Sequence, residues 1–162
     1  MRVAIGCDHV GFASKEPIVE ALQQEGHAVL DLGTYATAPV DYPPLVRAVV
    51  NAVLNRFVDV GILITERGTG AAMAANKFKG IRAAYCPDAA TARASREHED
   101  SNVLCLGGRG LDAAAALDVA RQWLGTQFSN DPTDARSLAQ LAEMDQGLGA
   151  APAPAPSPRP QP

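Results

Sequence analysis

The residues of this chain able to move protons or hold anions fall in a few short clusters: Asp8-His9, His98-Glu99, Arg109, and the segment 59–82, DVGILITERGTGAAMAANKFKGIR. In that segment an apolar run over 60–64 is bounded by charge and turns through Thr65-Glu66-Arg67-Gly68-Thr69-Gly70. It continues as a helix of small residues over 71–77. A buried strand feeding a Gly-rich turn and a helix start points unpaired backbone N–H groups at one place, and glycine lets a ligand approach the backbone closely. The chemistry offered is anion or oxyanion binding, with Glu66 the only carboxylate in the turn. The same pattern also serves as a plain βα turn in which Glu66 merely pairs with Arg67, and Asp8 is a residue type that caps helices.

Composition narrows the setting. With 162 residues, 47% hydrophobic and 20% charged, the chain reads as globular, with length enough for one core. A net charge of -4 without a basic run argues against nucleic acid as a partner. No apolar stretch approaches the roughly 18 residues of a membrane span, and the N-terminus lacks a secretory pattern, so a cytoplasmic location is expected. Cys7, Cys86 and Cys105 are widely spaced with no CxxC, and no His has a Cys or His neighbour. That fits a reducing compartment and gives no metal pattern. The first strand is not followed by GxGxxG, which argues against a dinucleotide; no cofactor is expected.

Several elements must position these residues. Strands are expected over 2–7, 27–32, 60–64, 81–86 and 102–106, and helices over 14–24, 44–54, 71–77, 87–96, 111–124 and 133–146. Strands alternating with helices imply a Rossmann-like α/β fold: a five-stranded parallel sheet covered on both faces, plus a C-terminal helix. From residue 147 the composition shifts to an Ala/Pro tail, so a single domain over 1–147 and a disordered tail over 148–162 are expected. Ligands of such sheets bind beyond the carboxyl ends of the strands. That rule gathers Asp8-His9, Glu66-Arg67-Gly68 and Arg109 at one edge. His98 precedes a strand, so only the folding of its loop would bring it there.

The stretches IGCDHVGFASKE, VDYPPL, GILI with its Gly-rich turn, AANKFKGIRAAYC, SREHEDSNVLCLGGR and WLGTQF resemble the type B ribose-5-phosphate isomerases, a family that includes the subunits of galactose-6-phosphate isomerase. The resemblance runs from residue 2 to about residue 140. It implies a dimer or dimer of dimers with active sites at the subunit interface. It also implies metal-independent aldose–ketose isomerisation of a sugar phosphate through a cis-enediolate, which needs a base, an oxyanion site and a cationic clamp. By position, Asp8 and His9 match the Asp-His that touches sugar and phosphate, His98 the ring-opening histidine, and Arg109 a phosphate ligand. Arg136 matches the second arginine of the clamp pattern GGRHxxR, and Gly68 and Gly70 match glycines of the anion-hole loop.

The departures sit at the chemistry. Against the family's GILICGTGIGMSIAANK, Thr65 stands at the Cys base and Glu66-Arg67 replace Gly-Thr. Ala71 stands where some members carry a Glu base, Glu99 replaces the Asn after the ring-opening His, and Pro132 falls at the first clamp arginine. Thr65, whose hydroxyl stays protonated near neutral pH, is a poor base. The expectation is that Glu66 transfers the C1–C2 proton, Asp8 and His98 handle hydroxyls and ring, and Arg109 and Arg136, with Arg67, hold phosphate. The substrate would be ribose 5-phosphate/ribulose 5-phosphate or a related phosphosugar. The alternative is a silent subunit, or one dependent on a paralogous partner.

Overall fold

The apolar runs of this sequence become the centre of a parallel sheet. The computed structural model describes residues 1–146; the expected domain end at residue 147 and the tail over 148–162 lie outside the described residues. The strands are β1 (Arg2–Cys7), β2 (Ala28–Asp31), β3 (Val60–Thr65), β4 (Ala83–Tyr85) and β5 (Val103–Gly107). The helices are α1 (Phe12–Gln24), α2 (Tyr42–Leu54), α3 (Thr69–Ala75), α4 (Ala89–Glu97), α5 (Ala113–Gly125) and α6 (Pro132–Asp145). All pairings are parallel, in the order β2-β1-β3-β5-β4. The expected Rossmann-like architecture is the one found.

β3 is buried at every residue and β1 at all but its first, because both faces of the sheet are covered. On one face Val3, Ile5 and Cys7 align with Val60, Ile62 and Ile64, and Ile62 and Ile64 with Leu104 and Leu106. This row packs against Ile18 and Leu22 of α1, Ala92 of α4 and Trp123 of α5. The other face sets Ala4, Leu63, Val103 and Cys105 against α2 and α3. There α2 approaches closely because glycines lie beneath it. A Cβ on Gly61 would come 2.6 Å from Val49 Cγ1, and one on Gly6 would come 2.9 Å from Val49 Cγ2.

Boundaries shift where local chemistry decides them. α2 begins at Tyr42, not residue 44, since Pro43 and Pro44 both fit a first helical turn whose N–H groups have no intrahelical partner. α3 begins at Thr69, straight after Gly68 turns the chain at φ 74°, and ends at Ala75. β4 is three residues long where six were expected. Ile81 drops into the core beside α3, and the Arg82 N–H is taken by the Asn102 side chain at 2.8 Å, so the ladder starts only at Ala83. α6 buries none of its residues. No helix among the described residues is long and apolar enough to cross a membrane.

The loop after β1 is seated directly on the end of β3. A Cβ on Gly11 would collide with the backbone carbonyl of Ile64, which cannot swing aside. Gly11→Ala should therefore destabilise the fold by about 1–3 kcal/mol, as overpacked sites do; urea unfolding measures this directly, and an unchanged midpoint would contradict the packing described.

Candidate active site

β1 has β2 on one side and β3 on the other, so the chain reverses its direction of sheet building between β1 and β3. A crevice opens at the carboxyl ends of two strands so related. Here it is a cavity of about 260 Å³ lined by Asp8-His9 after β1, residues 40–42 before α2, and the turn 65–71 after β3.

Asp8 is 4% exposed. Its Oδ1 accepts the N–H groups of Val10 at 2.9 Å and Gly11 at 3.0 Å, and its Oδ2 accepts that of Glu66 at 2.7 Å. The carboxylate thus folds its own loop and also fixes the backbone of the turn after β3. The first-helix cap considered from sequence takes the form of a loop anchor, with no side-chain cap on α1 itself. His9 Nδ1 accepts the Val40 N–H at 3.4 Å.

Within the turn, the buried Thr65 hydroxyl accepts the Gly68 N–H at 3.2 Å, a structural use of that side chain. Gly68 has no room for a Cβ, which would lie 2.6 Å from the Tyr85 ring. A Cβ on Gly70 would lie 2.8 Å from the hydroxyl of Tyr42, which lines the cavity. Glu66 projects at the mouth. Its Oε1 is 2.8 Å from Arg109 Nε and 3.7 Å from an Arg67 guanidinium nitrogen. The pairing with Arg67 weighed from sequence is therefore present, but Arg109 is the closer partner.

One chain does not gather every expected residue here. Asp8, His9, Thr65, Glu66, Arg67, Gly68 and Gly70 line the cavity, and Arg109 joins through Glu66. His98, Glu99 and Arg136 do not line it. His98 ends α4 and, with Glu99, lies just before β5, near the amino ends of the strands. Arg136 is exposed on α6. Conversely Tyr42, Asp41, Val40, Thr69 and Ala71 line the cavity without having been expected as site residues; the VDYPPL stretch, which holds the first three, carried family resemblance but marked none of them. Among the described residues no group of three or more His, Cys, Asp or Glu is placed to hold a metal ion.

The cysteines are remote in chemistry if not in sequence. All three are buried and unpaired. Burial pushes the thiols of Cys7 and Cys86 up to about 11 and that of Cys105 higher still, because a thiolate would lose its hydration.

A parallel sheet of this order, with a cavity at the β1/β3 switch and a Gly-rich turn after β3, belongs to a defined class. The chain is a member of the ribose/galactose isomerase family, which it matches over residues 3–141. Among its relatives, ribose-5-phosphate isomerase B of Escherichia coli is 44% identical over 127 residues, covering 78% of this chain and 85% of that protein. Galactose-6-phosphate isomerase subunit LacB of Clostridium acetobutylicum is 40% identical over 150 residues, covering 91% and 87%. The solved structure of ribose-5-phosphate isomerase B of Clostridium thermocellum superposes with a TM-score of 0.87 at 39% identity, covering 91% of this chain and 99% of that one.

With its thiols buried, the native protein should resist iodoacetamide near neutral pH. Mass spectrometry should find Cys7, Cys86 and Cys105 unmodified before denaturation and all three alkylated after it; ready native labelling of any one would show that its burial is transient.

Proposed function

We propose that this protein isomerises a sugar phosphate between aldose and ketose through a cis-enediolate, with side chains and not a metal moving the protons. The pair is ribose 5-phosphate/ribulose 5-phosphate or a close relative. The observation that carries the proposal is the cavity at the β1/β3 switch point, built from the segments that match the family and edged by a carboxylate and a guanidinium 2.8 Å apart.

That pair supports a sequence of events. A substrate phosphate competes with Glu66 for Arg109, since a guanidinium binds either anion through charge-assisted hydrogen bonds and phosphate brings more charge. Released from Arg109, Glu66 takes the proton from C2 of the open-chain aldose. The electron pair forms the enediolate, the C2 hydroxyl proton passes to the C1 oxygen, and the proton held by Glu66 returns at C1 to give the ketose. The first N–H groups of α3, over Thr69, Gly70 and Ala71, have no intrahelical partner and face the developing oxyanion. Asp8 acts chiefly as anchor, its two oxygens already accepting three N–H groups and one of them being that of Glu66. His98 protonates the ring oxygen of the cyclic substrate.

His98, Glu99 and Arg136 lie off the cavity of their own chain, which favours assembly as a homodimer or dimer of dimers in which a second copy supplies them. The galactose-6-phosphate relative is described as a subunit, and the same placement favours, as second reading, dependence on a related subunit. A panel of four-, five- and six-carbon aldose and ketose phosphates with purified protein separates the two readings.

Glu66→Gln should lower turnover by at least about 10²-fold with substrate binding largely kept; full activity would remove Glu66 as the base. If sites are shared between copies, Glu66→Gln and His98→Gln proteins, each inactive, should regain about a quarter of wild-type turnover on mixing and exchange, because in a two-fold dimer one of the two sites in each hybrid is intact. Mixing that restores nothing, with subunit exchange verified, would place both residues in one chain's site or His98 in none.

A further inference from the structure

His98 is held by a carboxylate from another element. Its Nδ1 is 3.0 Å from Asp134 Oδ2, in the first turn of α6. The same oxygen accepts the Ser129 hydroxyl at 2.7 Å, while Ser129 Oγ accepts the Asp131 N–H at 3.0 Å. The Ser129 N–H in turn donates to the Glu97 carbonyl at 2.8 Å, tying this segment to the end of α4. The carboxylate therefore reaches His98 in a fixed position. An exposed ion pair adds little to stability, and α6 buries none of its residues, so holding the fold together does not account for so well-ordered a contact. Nor does the resemblance, since residue 134 falls on an unspecified position of the GGRHxxR pattern.

We propose that Asp134 is the positioning residue of His98, fixing the proton on Nδ1 and keeping the ring as the imidazolium that donates from Nε2 to the substrate. The inference rests on the part given to His98 above. In that step the bond between C1 and the ring oxygen breaks and the ring oxygen takes the Nε2 proton. The C1 hydroxyl gives its proton to water, leaving the open aldehyde, and the neutral imidazole is reprotonated from solvent.

The charges around His98 act together. Asp134 faces it from α6, Glu97 from α4 and Glu99 from the loop that follows, and all three favour the imidazolium. Arg93 of α4 lines the same surface hollow as His98 but is paired with Glu97 at 3.2 Å, and Gln122 of α5 is neutral. The hydrogen bond that His98 donates to Asp134 outweighs the loss of hydration, so His98 titrates above the usual histidine range and Asp134 below the usual carboxylate range. The donor form of His98 thus persists to higher pH than that of an unpaired histidine.

The test compares wild type, Asp134→Asn and Asp134→Glu. The chain has three histidines, so NMR titration with His98→Gln as the assignment control follows His98 without any turnover. In Asp134→Asn its titration should move to lower pH, and Asp134→Glu should restore it. The alkaline limb of kcat/KM on a ring-forming aldose phosphate should move in the same sense, whereas an aldose phosphate too short to close a ring should keep its limb. A His98 titration identical in wild type and Asp134→Asn, with the fold intact by circular dichroism, overturns the proposal. A titration that moves while the alkaline limb stays upholds the Asp134–His98 coupling and overturns the part of His98 in turnover, so the two failures are distinguishable.

Discussion

The buried Asp8 carboxylate, with its three backbone N–H donors, is the interaction on which this site depends. Removing a charge from water is costly unless hydrogen bonds replace hydration, and here the replacements come from two different loops. The ladder continues past the strand ends: Asp8 N–H donates to Ile64 O, Gly108 N–H to Thr65 O and Arg109 N–H to Glu66 O, at 2.8–3.1 Å. Glycines make this convergence possible; a Cβ on Gly108 would lie 3.2 Å from Gly11. The side chains of Glu66 and Arg109 therefore meet because their backbones are already hydrogen-bonded neighbours.

That geometry reframes the substitution in the Gly-rich turn. A carboxylate added at residue 66 extends beside the arginine that follows β5 and becomes an internal anion on it. The cation at the edge of the cavity thus already carries an anion, and in the reaction proposed above the substrate phosphate exchanges for it. Exchange of this kind discriminates by charge and geometry, favouring a group with more charge and several acceptor oxygens. In the reaction proposed above the same exchange frees Glu66 as the base, so that one event arms the other.

How much of this was legible in the sequence follows from what each residue depends on. β1 and β3 were plain because strands buried on both faces read as unbroken apolar runs, and the loops after them were expected at one carboxyl edge; the strand order that makes the switch point between them exists only in the folded sheet. β4 was overextended because the diversion of Ile81 and Arg82 depends on the core beside α3 and on Asn102, neither visible locally. Asp8, His9 and residues 65–70, which line the cavity, were legible as candidates since they directly follow strand ends. Tyr42 was not, because its closeness to Gly70 exists only once α2 packs beside α3. Glu66 was weighed against Arg67, its neighbour in sequence, whereas the shorter contact crosses from β3 to β5. His98, Glu99 and Arg136 carried family weight but stand at positions that a parallel sheet keeps away from the carboxyl edge.

The loop bearing His98 and Glu99 is nevertheless held with unusual firmness. Asp100, at φ 46°, receives Arg82 at 2.7 Å and Arg96 at 3.2 Å. The Arg96 guanidinium lies over the buried Trp123 ring, 5.2 Å from its centroid, and its Nε has no partner among the described residues. Beneath it Trp123 Nε1 donates to Ser101 Oγ at 2.8 Å, which also meets Ser95 at 3.0 Å. An apolar pair of similar volume would hold a mere connection as well without burying a charge. A buried polar network fixes direction as well as position, and the direction fixed here is outward, leaving His98 and Glu99 exposed. Rigid presentation of two polar side chains away from the chain's own cavity is what the proposed site between copies would require, since a partner would have to find them already in place.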